Sequence, residues 1–259
     1  MAWPSVRTGC ELTRFAGIAA AAAIAVGLAL PAQAAHPMLG EDTGTQGTGR
    51  FELEMGGARA RDGDLRASEF GVQLSGGVAD AVDLIVRPAW LENRSTGEGG
   101  ATARGAGDTA LDVKWRFFDG EPFSFGTRVG ILVPTGNADE GLGQRKASFH
   151  GVLMGQAKYD EWTLIGNAGY VRNPIEGERS GLWYLTASAL WQPAERFKFS
   201  AEAAAFTLPD PARNAWQAVA RVGVIATLTP WLDVDAGYQF RLNHEAPVQV
   251  ILAGATIRW

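Results

Sequence analysis

The amino-acid sequence predicts an all-β protein: a transmembrane antiparallel β-barrel of about 12 strands that follows a cleaved signal peptide. Three observations predict this fold class. A short basic and apolar leader opens the chain, the rest consists of stretches in which apolar and polar residues alternate, and the connections between these stretches are short and long in turn. This combination is typical of bacterial outer-membrane barrels.

Residues 1–34 have the features of a secretory signal peptide. Arg7 and Arg14 precede an apolar run over residues 15–30, and residues 31–34 end in the small-x-small pattern that signal peptidase cleaves. The run is shorter than the roughly 20 residues that a membrane-spanning helix needs. We therefore expect cleavage after Ala34, which removes Cys10 and leaves a mature chain without cysteine.

Composition excludes several classes of protein. The chain is 46% hydrophobic and 20% charged, a balance unlike that of disordered or collagen-like chains. A formal net charge of −5 without a Lys/Arg cluster argues against a nucleic-acid partner, because phosphate binding requires a concentrated basic surface. With 3 histidines and no cysteine in the mature chain, no Cys/His metal site and no cofactor are expected.

From Arg50 onward, alternation with period two predicts strands. The clearest case is residues 111–117, where Leu111 and Val113 share a face that is opposite to Asp112 and Lys114. We count twelve such stretches, at residues 50–60, 66–76, 81–92, 111–117, 122–133, 147–159, 162–172, 181–192, 196–207, 214–228, 231–241 and 247–259.

Connections of alternating length predict a barrel with both termini in the periplasm. Tight turns are expected on the periplasmic side, and longer, Gly-rich and charged loops on the outer side, the longest at residues 93–106 and 134–146. A periplasmic β-sandwich would also alternate, but its strands are usually only about five or six residues long. Closure into a barrel leaves no unpaired strand edge in lipid.

Aromatic residues on the apolar face gather near the strand ends, as two membrane interfaces would select. One predicted ring lies by the tight turns and comprises Phe123, Tyr159, Trp162, Trp191, Phe197 and Trp231. The other lies by the long loops and comprises Trp90, Tyr170, Trp183, Trp216 and Phe240.

The last strand ends in alternating apolar residues and Trp259, which is typical of the signal that the barrel-assembly machinery recognises. The predicted location is therefore the outer membrane of a Gram-negative bacterium. Outer-membrane lipid and lipopolysaccharide are the expected surroundings.

The polar face of the strands is predicted to line the interior. Acidic and basic residues are nearly equal there, which indicates pairing, since a lone buried charge is costly. Two interpretations stay open: a cross-linked ladder that fills a small barrel, or a narrow polar conduit. The candidate lumen residues are Glu52, Glu54, Glu69, Asp83, Arg87, Asp112, Lys114, Arg116, Arg128, Lys158, Lys198, Glu202, Arg221, Asp233, Asp235, Arg241 and Arg258.

Residues 35–49 are too polar and too rich in Gly and Thr for a strand. We expect them to form a periplasmic arm or to enter the lumen as a partial plug. The predicted barrel then comprises residues 50–259.

Several segments resemble one bacterial family. They are the mature start at residues 36–54, the Gly-x-Gly-Asp segment at 105–117, the Leu-Val-Pro-Thr-Gly stretch at 132–136, the Asn-Ala-Gly-Tyr stretch at 167–170, and residues 237–241. Together they are similar to outer-membrane proteins of the "putative meta-pathway of phenol degradation" transporter family. The resemblance implies uptake of small, often aromatic or hydrophobic compounds.

The predicted function is a passive channel for small-molecule cargo, with entry between the two longest loops and passage beside Lys114, Arg116, Arg128 and Asp235. Hydrophobic cargo could instead leave sideways near Gly151 and Gly155. One alternative is a structural or surface-display barrel. A less favoured one is a lipid hydrolase that uses Ser148 and His150, which lie two residues apart on one face.

Overall fold

Strands dominate the described chain, which in this computed structural model covers residues 37–97, 100–246 and 249–259. The predicted signal peptide and Cys10 lie outside these ranges. A short 3₁₀ turn, Ala138–Glu140, lies in the loop of residues 134–147. The strand segments are β1 (Phe51–Asp62), β2 (Leu65–Ala79), β3 (Val82–Arg87), β4 (Ala89–Ser95), β5 (Thr102–Ala106), β6 (Thr109–Asp119), β7 (Phe123–Val133), β8 (Ser148–Tyr159), β9 (Trp162–Arg172), β10 (Gly181–Ala194), β11 (Phe197–Thr207), β12 (Trp216–Thr229), β13 (Leu232–Arg241) and β14 (Gln249–Arg258).

The sheet closes on itself through its first and last strands. β1 pairs antiparallel with β2 on one side and with β14 on the other, from Glu52 opposite Arg258 to Arg61 opposite Gln249. The terminal end of the barrel is the end at which β1 begins and β14 ends. There, Phe51 and Trp259 exchange backbone hydrogen bonds of 2.9 and 3.1 Å, and their rings stack. Closure satisfies the backbone groups that an open sheet would expose to lipid. The predicted fold class is confirmed.

Fourteen segments form only twelve wall crossings, because two crossings are each interrupted. β3 and β4 are separated by Pro88, which has no N–H to donate to the ladder, and both pair with β2. Their partners β6 and β5 are separated at residues 107–108. The Gly107 amide bonds the Ala89 carbonyl at 2.8 Å and keeps the wall closed at the interruption.

Two predicted boundaries in this region are wrong. The stretch at residues 81–92 is not one strand, since it breaks at Pro88 and extends to Ser95. The predicted loop at residues 93–106 is much shorter, because its two ends pair with each other as β4 and β5. Alternation is weak in this Gly-rich and Thr-rich sequence, so here the cross-strand hydrogen bonds, rather than an amphipathic pattern, define the strands.

The two ends of the barrel differ as predicted. At the end that holds the start of β1 and the end of β14, each turn has two or three residues. At the opposite end most loops are longer, the exception being the two-residue turn between β1 and β2. Both predicted aromatic rings lie on the outer surface, and neighbouring members contact each other, as in the stacked pair Trp162–Trp191 and the edge-to-face pair Tyr170–Trp183.

The interior is not uniformly polar. Beside the expected charged residues, one sector has an apolar lining in which the rings of Tyr184 and Phe206 stack with centroids 6.2 Å apart. Gly169 lies directly beneath the Tyr184 ring, since a Cβ there would be 2.0 Å from the ring. The buried members of this apolar cluster are Leu39, Val152, Met154, Val171, Leu182, Tyr184, Ala204, Phe206, Val219 and Ala246.

Across the described ranges, no helix is both long and apolar enough to cross a bilayer.

Candidate functional site

The N-terminal segment, residues 37–48, lies inside the barrel rather than beside it. Met38, Leu39, Glu41 and Thr43 are almost completely buried. The amides of Leu39 and Gly40 donate to the two carboxylate oxygens of Glu202 on β11, at 2.7 and 2.8 Å. One inward-facing acid thus binds two successive backbone N–H groups, which aligns the segment across the lumen.

Asn167 on β9 holds the next residue through its backbone. Its amide oxygen accepts the Glu41 N–H at 2.6 Å, and its amide nitrogen donates to the Glu41 carbonyl at 2.9 Å. This double hydrogen bond satisfies both backbone groups of a residue that no strand pairs. Farther along, the hydroxyls of Thr43 and of Ser124 on β7 are 2.5 Å apart.

The Glu41 carboxylate reaches a buried cluster of charged and polar side chains on the opposite wall. This cluster, the Arg128 centre, comprises Asp112, Lys114, Arg128 and His150. The Glu41 carboxylate contacts the guanidinium of Arg128 and lies 3.5 Å from Lys114 Nζ. Arg128 Nε donates to Asp112 at 3.0 Å, and His150 Nε2 bonds the other oxygen of Asp112 at 2.6 Å. Buried charges of opposite sign offset each other's desolvation only when each one keeps its partners.

Gly130 makes the Asp112–His150 contact possible. It lies opposite both residues in the β6–β7 and β7–β8 ladders. A Cβ at position 130 would be 1.7 Å from Asp112 Oδ1. The absence of a side chain therefore gives the Asp112 carboxylate the space that it needs to reach across β7.

At the terminal end, the segment is fixed to the wall by further polar contacts. The Gln46 amide donates to Asp83 at 3.1 and 3.2 Å, and the Gln46 side chain donates to Glu52 at 2.9 Å. The Thr48 hydroxyl donates to Asp80 in the β2–β3 turn at 2.6 Å. Hydrogen bonds from Thr48 lower the pKa of the Asp80 carboxyl below its ordinary value.

Two cavities lie in the lumen: the segment lines the inner one, and His150, which bonds Asp112, lines the outer one. The outer cavity has a volume of about 560 Å³ and is bounded by loop 134–147. The inner vestibule, of about 870 Å³, opens at the terminal end. The loop folds inward because Asp108 accepts the Gly136 and Gln144 amides at 2.9 and 2.7 Å, while Leu142 packs against Leu91 and Ala103.

Comparison with known proteins agrees with this architecture. The sequence profile of the family described as "Putative MetA-pathway of phenol degradation" matches residues 34–259. The chain belongs to this family. Among curated proteins, no sequence matches at a significant level.

Several solved structures share the fold of this protein at low sequence identity. The COG4313 outer membrane channel from Pseudomonas putida F1 has a TM-score of 0.67 and 13% identity, with 84% of this chain and 98% of that chain covered. The NanC porin has a TM-score of 0.58 and 8% identity, covering 79% and 98%. The KdgM porin has a TM-score of 0.58 and 9% identity, covering 80% and 98%.

Several of the predicted lumen charges pair with one another across the wall of the described barrel. Besides Arg128–Asp112, these contacts include Arg87–Glu69 at 3.8 Å, and Arg258 with Asp233 and with Glu52, both at 2.7 Å. Others bind the N-terminal segment instead, namely Lys114, Asp83, Glu202 and Arg221, whose Nη1 donates to the Pro37 carbonyl at 3.4 Å.

The remaining predicted charges differ in their contacts and in their exposure. Glu54 accepts from Gln73 at 2.7 Å, and Arg116 pairs with Asp119 at 3.3 Å. Asp235 is buried, Lys198 is half-buried, and Lys158 and Arg241 are exposed. The roles of all these residues in transport stay predictions.

Sequence reasoning missed Glu41. The alternation of charged and apolar residues along the strands does not indicate that an acid in the N-terminal segment pairs with Arg128. A signal was nonetheless present, because Glu41 and Asp42 are the only acids between the predicted cleavage site and β1.

Ser148 and His150 are not joined in a catalytic arrangement. The Ser148 hydroxyl donates to the Arg172 carbonyl at 2.5 Å, and His150 Nε2 bonds Asp112. Within the described residues, no group of three or more His, Cys, Asp and Glu side chains is placed to hold a metal ion.

Proposed function

We propose that this protein is a non-enzymatic outer-membrane channel for small molecules, and that residues 37–48 form a movable plug in its lumen. The observation that carries the proposal is the position of this segment inside the lumen, where it lines the inner vestibule and where Glu41 pairs with Arg128 in the cluster whose His150 lines the outer cavity. Its described contacts with the wall are hydrogen bonds, ion pairs and apolar packing, all of which can break and re-form. Solved proteins with the same fold are described as channels and porins, which supports the assignment.

Small aromatic or hydrophobic compounds are the proposed cargo, in keeping with the family description. Cargo would enter the outer cavity beside loop 134–147 and pass the Arg128 centre when the plug shifts. It would then reach the vestibule near Lys114 and Asp235. A sideways exit near Gly151 and Gly155 receives less support, since the β8–β9 ladder is continuous from His150 to Tyr159.

Export and assembly complete the proposal. Residues 1–34 would direct secretion and be removed, and Trp259 would be read by the barrel-assembly machinery. The aromatic rings would then face the two interfaces of an outer membrane that contains lipopolysaccharide.

A reversible disulfide tests whether the plug controls passage. The Thr43 and Ser124 hydroxyl oxygens are 2.5 Å apart, so sulfur atoms in their places would lie within reach of an S–S bond of about 2.05 Å. We would prepare T43C/S124C, refold it, and record single-channel current in planar bilayers under oxidising and reducing conditions. We expect a low current when the bond is oxidised and recovery on reduction, because only the reduced plug can move.

The single variants T43C and S124C are the controls, since neither can form the bond and both should give the same current under the two conditions. A current in T43C/S124C that does not respond to oxidation, with disulfide formation verified by mass spectrometry, would contradict plug control. Silence of a correctly folded wild-type barrel under all conditions would contradict the channel itself and favour a structural or surface-display role.

A further inference from the structure

The outer cavity combines apolar walls with polar groups that are mostly already bonded. Its volume of about 560 Å³ is within the range of small-molecule sites. Asp108 is bonded to backbone amides, Asn173 to Glu178, and Lys146 to Glu176. Apolar side chains come from several strands and loops, namely Leu91, Leu132, Leu142, Ile175 and Leu182.

His150 lines this cavity, and its Nδ1 has no hydrogen-bond partner among the described residues. The residue is only 8% exposed. Asp112, paired with Arg128, is an acceptor, so the His150 Nε2 that contacts it carries the proton. In a neutral imidazole the other nitrogen, Nδ1, is then an acceptor, and among the described residues nothing donates to it.

Arg87 lines the same cavity and provides the complementary group. It is 7% exposed, and its Nη1 lies 3.8 Å from Glu69. Its Nε–H has no acceptor within the described part of the chain. In the sheet register Arg87 pairs with Ala110, Ala110 with Leu132, and Leu132 with Ser148. The β3 strand of Arg87 is therefore three strand spacings from β8, which carries His150. His150 lies two residues farther along β8, so at about 4.8 Å per strand and 3.4 Å per residue the backbones of the two anchors are roughly 16 Å apart along the wall, and both side chains point into the lumen.

We infer that the outer cavity binds a neutral molecule with an apolar body and a hydroxyl group, which donates to His150 Nδ1 and accepts from Arg87 Nε. The apolar body would lie against the leucine side chains. An anion is less suitable, because the Asp112 and Glu69 carboxylates already lie beside the two anchors. This inference names the cargo class of the proposed channel and so rests on that function.

Three compounds of one size test the inference: 2-naphthol, naphthalene and 2-naphthoate. We would measure saturable binding to the detergent-solubilised mature chain by equilibrium dialysis, with protein-free detergent as the blank. We expect 2-naphthol to bind about tenfold or more tightly than the other two, as one well-placed hydrogen bond allows. Equal binding of all three, or tighter binding of 2-naphthoate, would overturn the assigned class.

Two variants test the anchors. H150K keeps a donor for Asp112 but has no acceptor atom, and R87K keeps a positive charge for Glu69 but lacks the Nε–H. Each should weaken 2-naphthol binding about tenfold and leave naphthalene binding unchanged. R213Q, in an exposed ion pair with Glu245 outside this cavity, is the matched control and should stay within about twofold of wild type.

Unchanged 2-naphthol binding in both folded variants would overturn the anchor assignment. If a variant does not fold, the comparison of the three compounds on the wild-type chain still decides the class. Failure of this inference is distinguishable from failure of the channel. Dialysis measures binding without ion flow, whereas the T43C/S124C experiment measures current without a ligand.

Discussion

The plug meets two different surfaces inside one barrel. On one side, Glu41 enters a centre of fixed charges with Arg128 and Lys114. On the other side, Leu39 belongs to an apolar cluster that includes Tyr184 and Phe206. Charged partners accept only a narrow set of positions and penalise the loss of any member, whereas apolar packing rewards burial with little regard to direction. The charged side thus sets where the plug sits, and the apolar side adds stability.

The largest effect is expected from R128M. Removing the guanidinium leaves Glu41 and Asp112 buried without their main counter-charge, which costs about 3–5 kcal/mol. Urea unfolding of the refolded barrel, followed by tryptophan fluorescence, measures the loss. Adding E41Q to R128M should recover part of it, because one of the stranded charges is then removed. A loss below about 1 kcal/mol would show that the charged side is not the stronger of the two.

On the apolar side, L39A should have the next largest effect. Truncation of a buried leucine costs about 2–5 kcal/mol. We expect a value near the lower limit, because the plug can shift and fill part of the cavity that the truncation leaves. L39M, which conserves volume, should cost less than about 1.5 kcal/mol. Limited proteolysis of residues 37–48 reports how far each variant loosens the plug. If L39M released the plug as readily as L39A, the apolar side would be as selective as the charged one.

E202Q isolates the polar contact that lies next to the apolar cluster. The substitution keeps the shape but leaves one acceptor oxygen, so one of the Leu39 and Gly40 amides keeps only a weaker neutral bond and the other faces an NH₂ group that cannot accept. We expect a cost of about 1–2 kcal/mol, measured by the same proteolysis. The control is G166A on the outer face, where a Cβ would meet nothing within 4 Å. A larger cost for G166A than for E202Q would contradict this account.

The smallest effect is expected at the terminal end, where Thr48 bonds the exposed Asp80. These hydrogen bonds lower the folded-state pKa of Asp80 below its ordinary value of 3.8. Their stabilising contribution is therefore complete above pH 3.8 and is lost as the pH falls through the lower folded value. Hydrogen exchange of the Thr48 amide, corrected for intrinsic rates, should accelerate in that acidic range. D80N should remove the step, and a step that persists in D80N would assign it to another group.

Alternation in the chain is enough to predict the wall of this barrel. Residues 111–117 place Leu111 and Val113 outward and Asp112 and Lys114 inward, and the structure agrees, because the side-chain period of a strand is fixed at two. The aromatic rings and the tight turns follow from equally local signals. Pro88 also carried a local signal, since it cannot donate to a ladder, but the strand through it was predicted as continuous.

The contents of the lumen required the tertiary structure. Glu41 meets Asn167 across 126 positions, and Leu39 meets Glu202 across 163, so no local pattern relates them. The inward face of β10 shows the same limit, since Tyr184 is buried in the lumen while Trp183 faces outward. A strand's period assigns each residue to a face but does not say what occupies the space beyond it. Only closure of the barrel around residues 37–48 brings the charged centre, the apolar cluster and the two cavities into being.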